Sequence, residues 1–233
     1  WVSNFDCDQQ TNFWYVICDE FLPIDKLSKN TRKLVRRGLK RCTVEKVNFQ
    51  FVADNCYSVY KSAYDNYKGH SKPFSKLEFS NAISIYSDSN IWDFWVVYEN
   101  ETNQIIAFSR NKVEFDQCEL CSAKFHPNYQ RKCYPSEALF YTMNEYYLEE
   151  KKVKYVNDGA RSISHETNIQ DFLESKFKFR KAYCHLHVEY DKTFYFLLMI
   201  ARMFRQILKF LKFSPFLQLE VLQKQEDIRR SFK

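Results

Sequence analysis

Few residue clusters in this chain of 233 residues can do chemistry, and most lie between Val113 and Tyr183. A basic turn, His126-Pro127-Asn128-Tyr129-Gln130-Arg131-Lys132, precedes an amphipathic run that opens at Ser136. Backbone N–H groups point outward at a helix N-terminus, so cations gathered there make an anion site. The ordinary alternative is a basic loop before a helix capped by Ser136. Further on, Asn157 to Glu166 is polar and long for a connection, and loops at strand ends often hold function. Its His165-Glu166 pair is of the type that takes up a proton. Glu119 stands on an alternating run, where a carboxylate is either a proton acceptor or a solvent-facing strand residue.

Other chemistries find less support. Cys118 and Cys121 form a lone CxxC on a strand-like run, with no second pair of ligands at matching spacing. His185 and His187 alternate with apolar residues in Arg180 to Tyr190, which a half-buried strand explains without a metal. No metal site is therefore expected. There is no GxSxG, P-loop, HExxH or GxGxxG pattern. With three glycines in the chain, no other loop can serve as a glycine-rich cradle.

The elements that must position these residues follow from periodicity. Phe13 to Cys18 is rich in aromatic and β-branched residues and reads as a strand. Asp25 is placed to cap a basic helix running to Lys40, with Leu27, Leu34, Val35 and Leu39 as apolar positions. Thr43 to Val47 is a short strand. Ala53 to Tyr67 has helical spacing, and Ser75 with Glu78 forms a capping box for a helix reaching Tyr86. The period then changes to two. Ile91 to Tyr98 and Gln104 to Ser109 are strands joined by turn formers. Lys112 to Phe115 extends the second, and a third runs from Asp116 to Phe125. Next come a helix from Ser136 to Glu150, a strand from Val153 to Val156, a helix from Asn168 to Lys176 and a strand from Arg180 to Tyr190. Phe194 to Phe213 is a basic amphipathic helix stopped by Pro215, and the charged tail after it is helical. This order predicts an α/β (α+β) sheet domain, mostly antiparallel, with a parallel crossover through the Ser136 helix.

Strand, basic turn, helix, strand, polar loop, helix and Phe177-Lys-Phe-Arg-Lys resembles the acyl-CoA-binding core of the GNAT superfamily of N-acyltransferases. The likeness runs from Ile91 to Tyr190. It implies a GNAT-like fold in residues 1–190, a central mixed, mostly antiparallel sheet flanked by helices, with 191–233 as a C-terminal helical tail. It also implies acyl-CoA, such as acetyl-CoA, as co-substrate. The pantetheine would run between two splayed strands, and the pyrophosphate would sit on the turn before the next helix. The family writes that turn Gln/Arg-x-x-Gly-x-Gly/Ala. Here it reads Gln130-Arg131-Lys132-Cys133-Tyr134-Pro135, with both glycines replaced. The same likeness makes Phe125, His126, Gln130, Arg131, Lys132, Cys133, Tyr134, Ser136 and Asn168 the cofactor-binding candidates. Asn168 with Phe177 and Phe179 matches the family's Asn…Phe-Tyr-x-x-x-Gly-Phe ending. Lys178 replaces its glycine, and Leu173 and Glu174 stand nearest the place of its acid tyrosine. Glu119, His165 and Glu166 are then the candidate bases, and Tyr183 the substitute acid.

The run from Leu27 to Lys40 is similar to the helix that opens the acceptor-side region in Fem-type peptidyltransferases, distant relatives of the GNAT core. That likeness implies an alternative donor, aminoacyl-tRNA. A third reading is a GNAT-shaped scaffold that binds a partner without catalysis.

Composition sets the outer bounds. Hydrophobic residues at 45% and aromatics at 18% are ample for a packed core, which excludes a disordered chain. A net charge of +6 permits an anionic partner. Eight cysteines without a compact framework read as reduced thiols of a cytoplasmic protein. The opening residues carry no leader pattern, and no apolar run approaches the ~20 residues that span a bilayer. The expected activity is transfer of an acyl group to the amine of a small molecule or sugar. Expected partners are that amine, tRNA under the alternative reading, and a second copy of the chain. Residues 194–213 are expected to pack on protein, with a membrane surface as the alternative.

Overall fold

The structure, a computed structural model, describes residues 1–66, 72–163, 168–203 and 214–232. The first half runs β1 (Val2–Ser3), β2 (Trp14–Cys18), α1 (Lys29–Arg41), β3 (Cys42–Val47), α2 (Phe49–Asn55), α3 (Tyr57–Asp65) and α4 (Lys76–Ser84). Then come β4 (Trp92–Glu99), β5 (Gln104–Glu114), β6 (Gln117–Phe125), α5 (Pro127–Cys133) and α6 (Pro135–Glu145), which continues as a π-helical turn over Tyr146–Glu150. The chain closes with β7 (Tyr155–Ala160), α7 (Asn168–Phe177), β8 (Arg180–Tyr183), β9 (His185–Leu186), α8 (Lys192–Met203) and α9 (Ser214–Arg230). It divides into two compact units. The larger holds Ile17–Gly159 and Leu173–Phe179; the smaller holds Trp1–Val16, Ala160–Phe172 and Arg180–Lys233.

In the larger unit the strands lie in the order β3-β4-β5-β6-β7. The first three pairings are antiparallel and the last is parallel. Side chains alternate between two covered faces. On one, Phe94, Val96 and Phe108 join Val52, Val59, Tyr60, Phe79 and Ile83 of α2, α3 and α4 in a buried cluster. On the other, Trp95, Ser109 and Asn111 meet Met143 of α6 and Tyr147 of the π turn. The sheet is thus two-sided and mostly antiparallel, as the alternation predicts.

Local chemistry moves several boundaries. The capping box holds: the Ser75 hydroxyl accepts from the Glu78 N–H at 3.3 Å, and the Glu78 carboxylate accepts from the Ser75 N–H at 2.7 Å. The predicted Asp25 cap does not. Ser28 caps α1 instead, accepting from the Thr31 N–H, because the chain turns first at Pro23–Lys26. The single helix expected over Ala53 to Tyr67 is two, and it starts earlier because Asn48 caps α2. β7 reaches Ala160, so Asn157 to Ala160 is strand where a loop was expected. The last strand breaks at Cys184, whose N–H donates to the Phe13 carbonyl and whose carbonyl accepts from the Thr11 hydroxyl. β9 then pairs with β1.

Helix α1 approaches the α5–α6 junction closely. A Cβ on Gly38 would stand 2.8 Å from the Tyr134 carbonyl oxygen and 3.1 Å from the Ala138 nitrogen. The Arg41 guanidinium donates to the Lys132 carbonyl, and the Cys42 thiol donates to the Cys133 carbonyl at 3.4 Å. Glycine here serves contact between backbones rather than an unusual dihedral.

In the smaller unit β2 neighbours β8, and α8 packs on α9. Glu226, fully buried, accepts from Arg229 and Arg230, and Arg230 also donates to the Tyr195 hydroxyl of α8 at 3.1 Å. On α8, Phe196, Leu197 and Met203 are exposed while Leu198 is buried. Residues 204–213, the second half of the expected amphipathic helix, lie outside the described residues. No helix among the described residues is long and apolar enough to cross a membrane. All eight cysteines are free, as the composition suggests.

Two outcomes follow from this packing. Gly38→Ala gains about 1 kcal/mol of helix propensity but forces backbone apart, which costs about 1–3 kcal/mol. A lower denaturant midpoint is expected, and an unchanged or raised midpoint would refute the close approach. The second outcome concerns acid. Arg229, and then Arg230, hold the Glu226 carboxyl at about 2, below its ordinary 4.5. A depressed carboxyl contributes stability above its unfolded pKa and loses it as pH falls through the folded value. Melting followed between pH 5 and 2 should therefore show a loss of stability that Glu226→Gln, already destabilised at neutral pH, does not share.

Candidate active site

Strand β6 is nine residues long, yet it pairs with β7 over three: Gln117 with Tyr155, Cys118 with Val156, and Glu119 with Asn157. Two local features end the pairing. Ser122 faces Arg110 and Glu119 faces Lys112, so Leu120 and Cys121 together oppose Asn111 in a β-bulge. On β7, Gly159 takes φ +91°, and its N–H donates to the Asn157 side chain at 2.8 Å. A Cβ there would meet nothing within 4 Å, so the end of the strand borders open space. Two parallel strands that start paired and then part leave a slot along the β6 edge.

The bulge sorts side chains between faces. Glu119, Ser122 and Lys124 share a face with Phe108, Arg110 and Lys112, while Cys118, Ala123 and Phe125 lie on the α6 side. Glu119 is exposed. Beneath it, on the α6 side, lies a buried polar network. The Tyr147 hydroxyl accepts from the Trp95 indole at 2.9 Å and from Asn111 at 3.2 Å, and donates to Asp93 at 3.1 Å. Asp93 is paired with Lys46 at 2.7 Å. Burial pushes the Tyr147 phenol and the Cys118 thiol well above their ordinary ranges. Both stay protonated near neutrality, and the Tyr147 proton is committed to Asp93.

The basic turn differs from its expectation. His126 to Cys133 is not a loop but the helix α5, started by Pro127 at its first turn and capped by His126, whose Nδ1 accepts from the Asn128 N–H at 3.4 Å. Gln130, Arg131 and Lys132 are exposed on it, and Cys133 is buried. Tyr134 then takes a left-handed conformation, φ 56° and ψ 47°, where the family has a glycine-rich turn. Ser136 does not cap α6: Tyr134 is the cap residue, Pro135 follows, and Ser136 lies inside the first turn. Pro135 has no N–H, and the Ala138 N–H is spent on the Tyr134 carbonyl. Only the Ser136 and Glu137 N–H groups remain for an anion at this end. The end is also charge-compensated from within. Glu137, 7% exposed, pairs with Lys176 at 2.5 Å, and a first-turn carboxylate satisfies the helix dipole. A pyrophosphate would find the site crowded by α1 and already met by a carboxylate, so these residues do not fit the coenzyme A cradle.

The other candidates are dispersed. Phe125 leans on Phe140 of α6. Asn168 is exposed at the start of α7. Tyr183 belongs to the smaller unit, where its hydroxyl accepts from Gln10 at 3.1 Å and its ring meets Trp14 edge-on. It lines a cavity of about 590 Å³ with Gln9, Thr11, Lys181, His185 and Phe232. His165 and Glu166 lie outside the described residues.

Helix α1 presents Lys29, Lys33, Arg36, Arg37 and Lys40 to solvent, and none has an ion-pair partner among the described residues. Through Arg41 and Lys132 this face adjoins Arg131 of α5. Reading the sequence singled out these cations but not Arg110, because the second strand was ended at Ser109. The period of two continues through Arg110 and Asn111 and would have placed Arg110 on the Glu119 face.

No protein-family model and no curated protein sequence matches the chain. Among solved structures, FemX is similar over 72% of this chain and 59% of its own, at 10% identity and a TM-score of 0.55. L-PGS from Bacillus licheniformis is similar over 81% of this chain and 65% of its own, at 14% identity and a TM-score of 0.53. A weaker likeness is to the PaiA N-acetyltransferase of Thermoplasma acidophilum in complex with coenzyme A, over 48% of this chain and 74% of that one, at 18% identity and a TM-score of 0.38. The chain spans less than two thirds of FemX and of L-PGS. Taken with the splayed strand pair, the likenesses to FemX and L-PGS show the fold alone: it is GNAT-like, of the Fem type.

Proposed function

We propose that this chain transfers an acyl group to an amine at the opening between β6 and β7, with an aminoacyl ester of tRNA as donor. The splayed pair with Glu119 at its branch point carries the reading of transfer. What favours tRNA over coenzyme A is the α5–α6 junction. It is helical, lacks the glycines, is approached by α1, and has its free helix end met by Glu137. The exposed cations of α1 and α5 suit a long polyanion, which gains affinity from many phosphates at once. In this reading Glu119 takes the proton of the attacking ammonium. That proton passes to solvent; the free amine then forms the new bond to the acyl carbon as the ester C–O bond breaks, and the carboxylate carries the second proton that the nitrogen sheds to the departing ribose oxygen. Acyl-CoA is the second reading, favoured by the slot itself, along which a pantetheine arm could pair with the β6 edge.

Two measurements separate these readings. Deacylated bulk tRNA should bind the full chain with a steep salt dependence, and Lys33→Ala with Arg36→Ala and Arg37→Ala should flatten that slope. Acetyl-CoA and longer acyl-CoAs at millimolar concentration should leave the melting temperature unchanged; a clear rise with no tRNA retention would transfer the proposal to coenzyme A. For the chemistry, Glu119→Gln should lower turnover about 10²-fold or more on an accepted amine, with the melting temperature kept. An unchanged rate removes Glu119 as the base.

A further inference from the structure

On the sheet face that carries Glu119, one cation has no counter-ion among the described residues. Arg110 lies on β5 between Phe94 of β4 and Ser122 of β6. Its guanidinium sits 3.7 Å from the ring centre of Tyr86 and 5.4 Å from that of Trp92. Its Nε is buried and makes no hydrogen bond. No carboxylate pairs with it among the described residues. Aromatic faces hold the plane of a guanidinium without neutralising it, and leave its edge to bind an anion in forked geometry. Lys124 stands one step along the same face, beyond Ser122. Burial, and then Arg110, push its ammonium below the ordinary range. The next cation, Lys112, is already paired with Glu114 at 2.5 Å.

We infer that Arg110, with Lys124 beside it, binds an anionic group of the acceptor, so that the acceptor is an amine that also carries a carboxylate or a phosphate. The inference rests on the acyl-transfer reading above. Its geometry is set by the ladder. Glu119 faces Lys112 and Ser122 faces Arg110, two residues apart on β5 and so about 7 Å along the strand. An amine held at Glu119 and an anion held at Arg110 are then separated by only a few bonds. Such a pair of contacts fixes both ends of a small zwitterion and orients its nitrogen toward the slot.

The test is calorimetry on the full chain with two matched pairs of probes: O-phosphoethanolamine against ethanolamine, and β-alanine against propylamine. The anionic member of at least one pair should bind about tenfold or more tighter than its neutral mate, the scale of a charge-assisted hydrogen bond. The better pair tells phosphate from carboxylate. Arg110→Gln should abolish that preference, Arg110→Lys should keep part of it, and Lys152→Gln, at a distant surface pair, should change nothing. Equal binding within both pairs, or an intact preference in folded Arg110→Gln, overturns the inference. Should Arg110→Gln not fold, the guanidinium Nε–H resonance of Arg110 in the unaltered protein gives the same answer, by moving or standing still as the anionic probe is added. Neither measurement needs a donor or turnover. A failure here therefore leaves the transfer reading intact, and a failure of the donor tests leaves the anion site to be judged by its own binding.

Discussion

In β6 two residues, Leu120 and Cys121, stand opposite one, Asn111. Residues 119 and 122 are three apart and would point to opposite faces of a regular strand. The bulge restores them to one face, so that Glu119, Ser122 and Lys124 all look the same way. It also adds twist at the point where the parallel pairing with β7 stops. One extra residue thus sets the branch in the sheet and the company that Glu119 keeps. The cost falls on the partner strand. Asn111 is buried, gives its N–H groups to Tyr147 and to the Met143 sulfur, and leaves its own carbonyl oxygen without a partner.

The network under the bulge is what makes that cost bearable. Tyr147 is fully buried and satisfies Trp95, Asn111 and Asp93 with one hydroxyl. Asp93 carries a charge into the core, and Lys46 meets it from the neighbouring strand β3. Lys46 also reaches the Tyr146 hydroxyl at 3.2 Å, so both tyrosines of the π turn are tied to the sheet. Removing one member would leave a buried charge or donor unpaired, which costs more than the bond itself contributes. Rigidity is the consequence. The sheet face opposite Glu119 is pinned to the helix by these bonds.

Much of this was legible in the sequence because it rests on local patterns. Alternation from Ile91 to Phe125 gave the meander, and the spacing of Ser75 and Glu78 gave a cap. The rest depends on contacts between distant segments. Nothing local to Asp25 tells that the chain turns once more before Ser28 starts α1. Nothing local to Gln130 tells that α1 comes close enough to Tyr134 to require Gly38. The stretch Asn157 to Ala160 is polar and reads as loop; its first residue is strand because β6 offers a ladder beside it, and Asn157 is buried there. The division of the chain into two units is equally invisible, since the smaller unit joins residues from both ends. Of the candidate residues, Glu119 is placed by the alternation alone, whereas Arg110 lies just past the expected end of its strand.

Charge is the property that binds these observations to function. A net charge of +6 says little until its places are known. The cations of α1 are many and exposed, and a cluster of that kind would bind a polyanion by releasing its counter-ions, weakly per contact and without fine geometry. Arg110 is single, half-buried and held by two rings, a setting that would suit one small group in one orientation. The helix end that would ordinarily take a phosphate is instead occupied by Glu137 and Lys176. Cations set out in these two different ways, with the helix end between them met by a carboxylate, are what the proposed joining of a large anionic donor to a small charged acceptor would require.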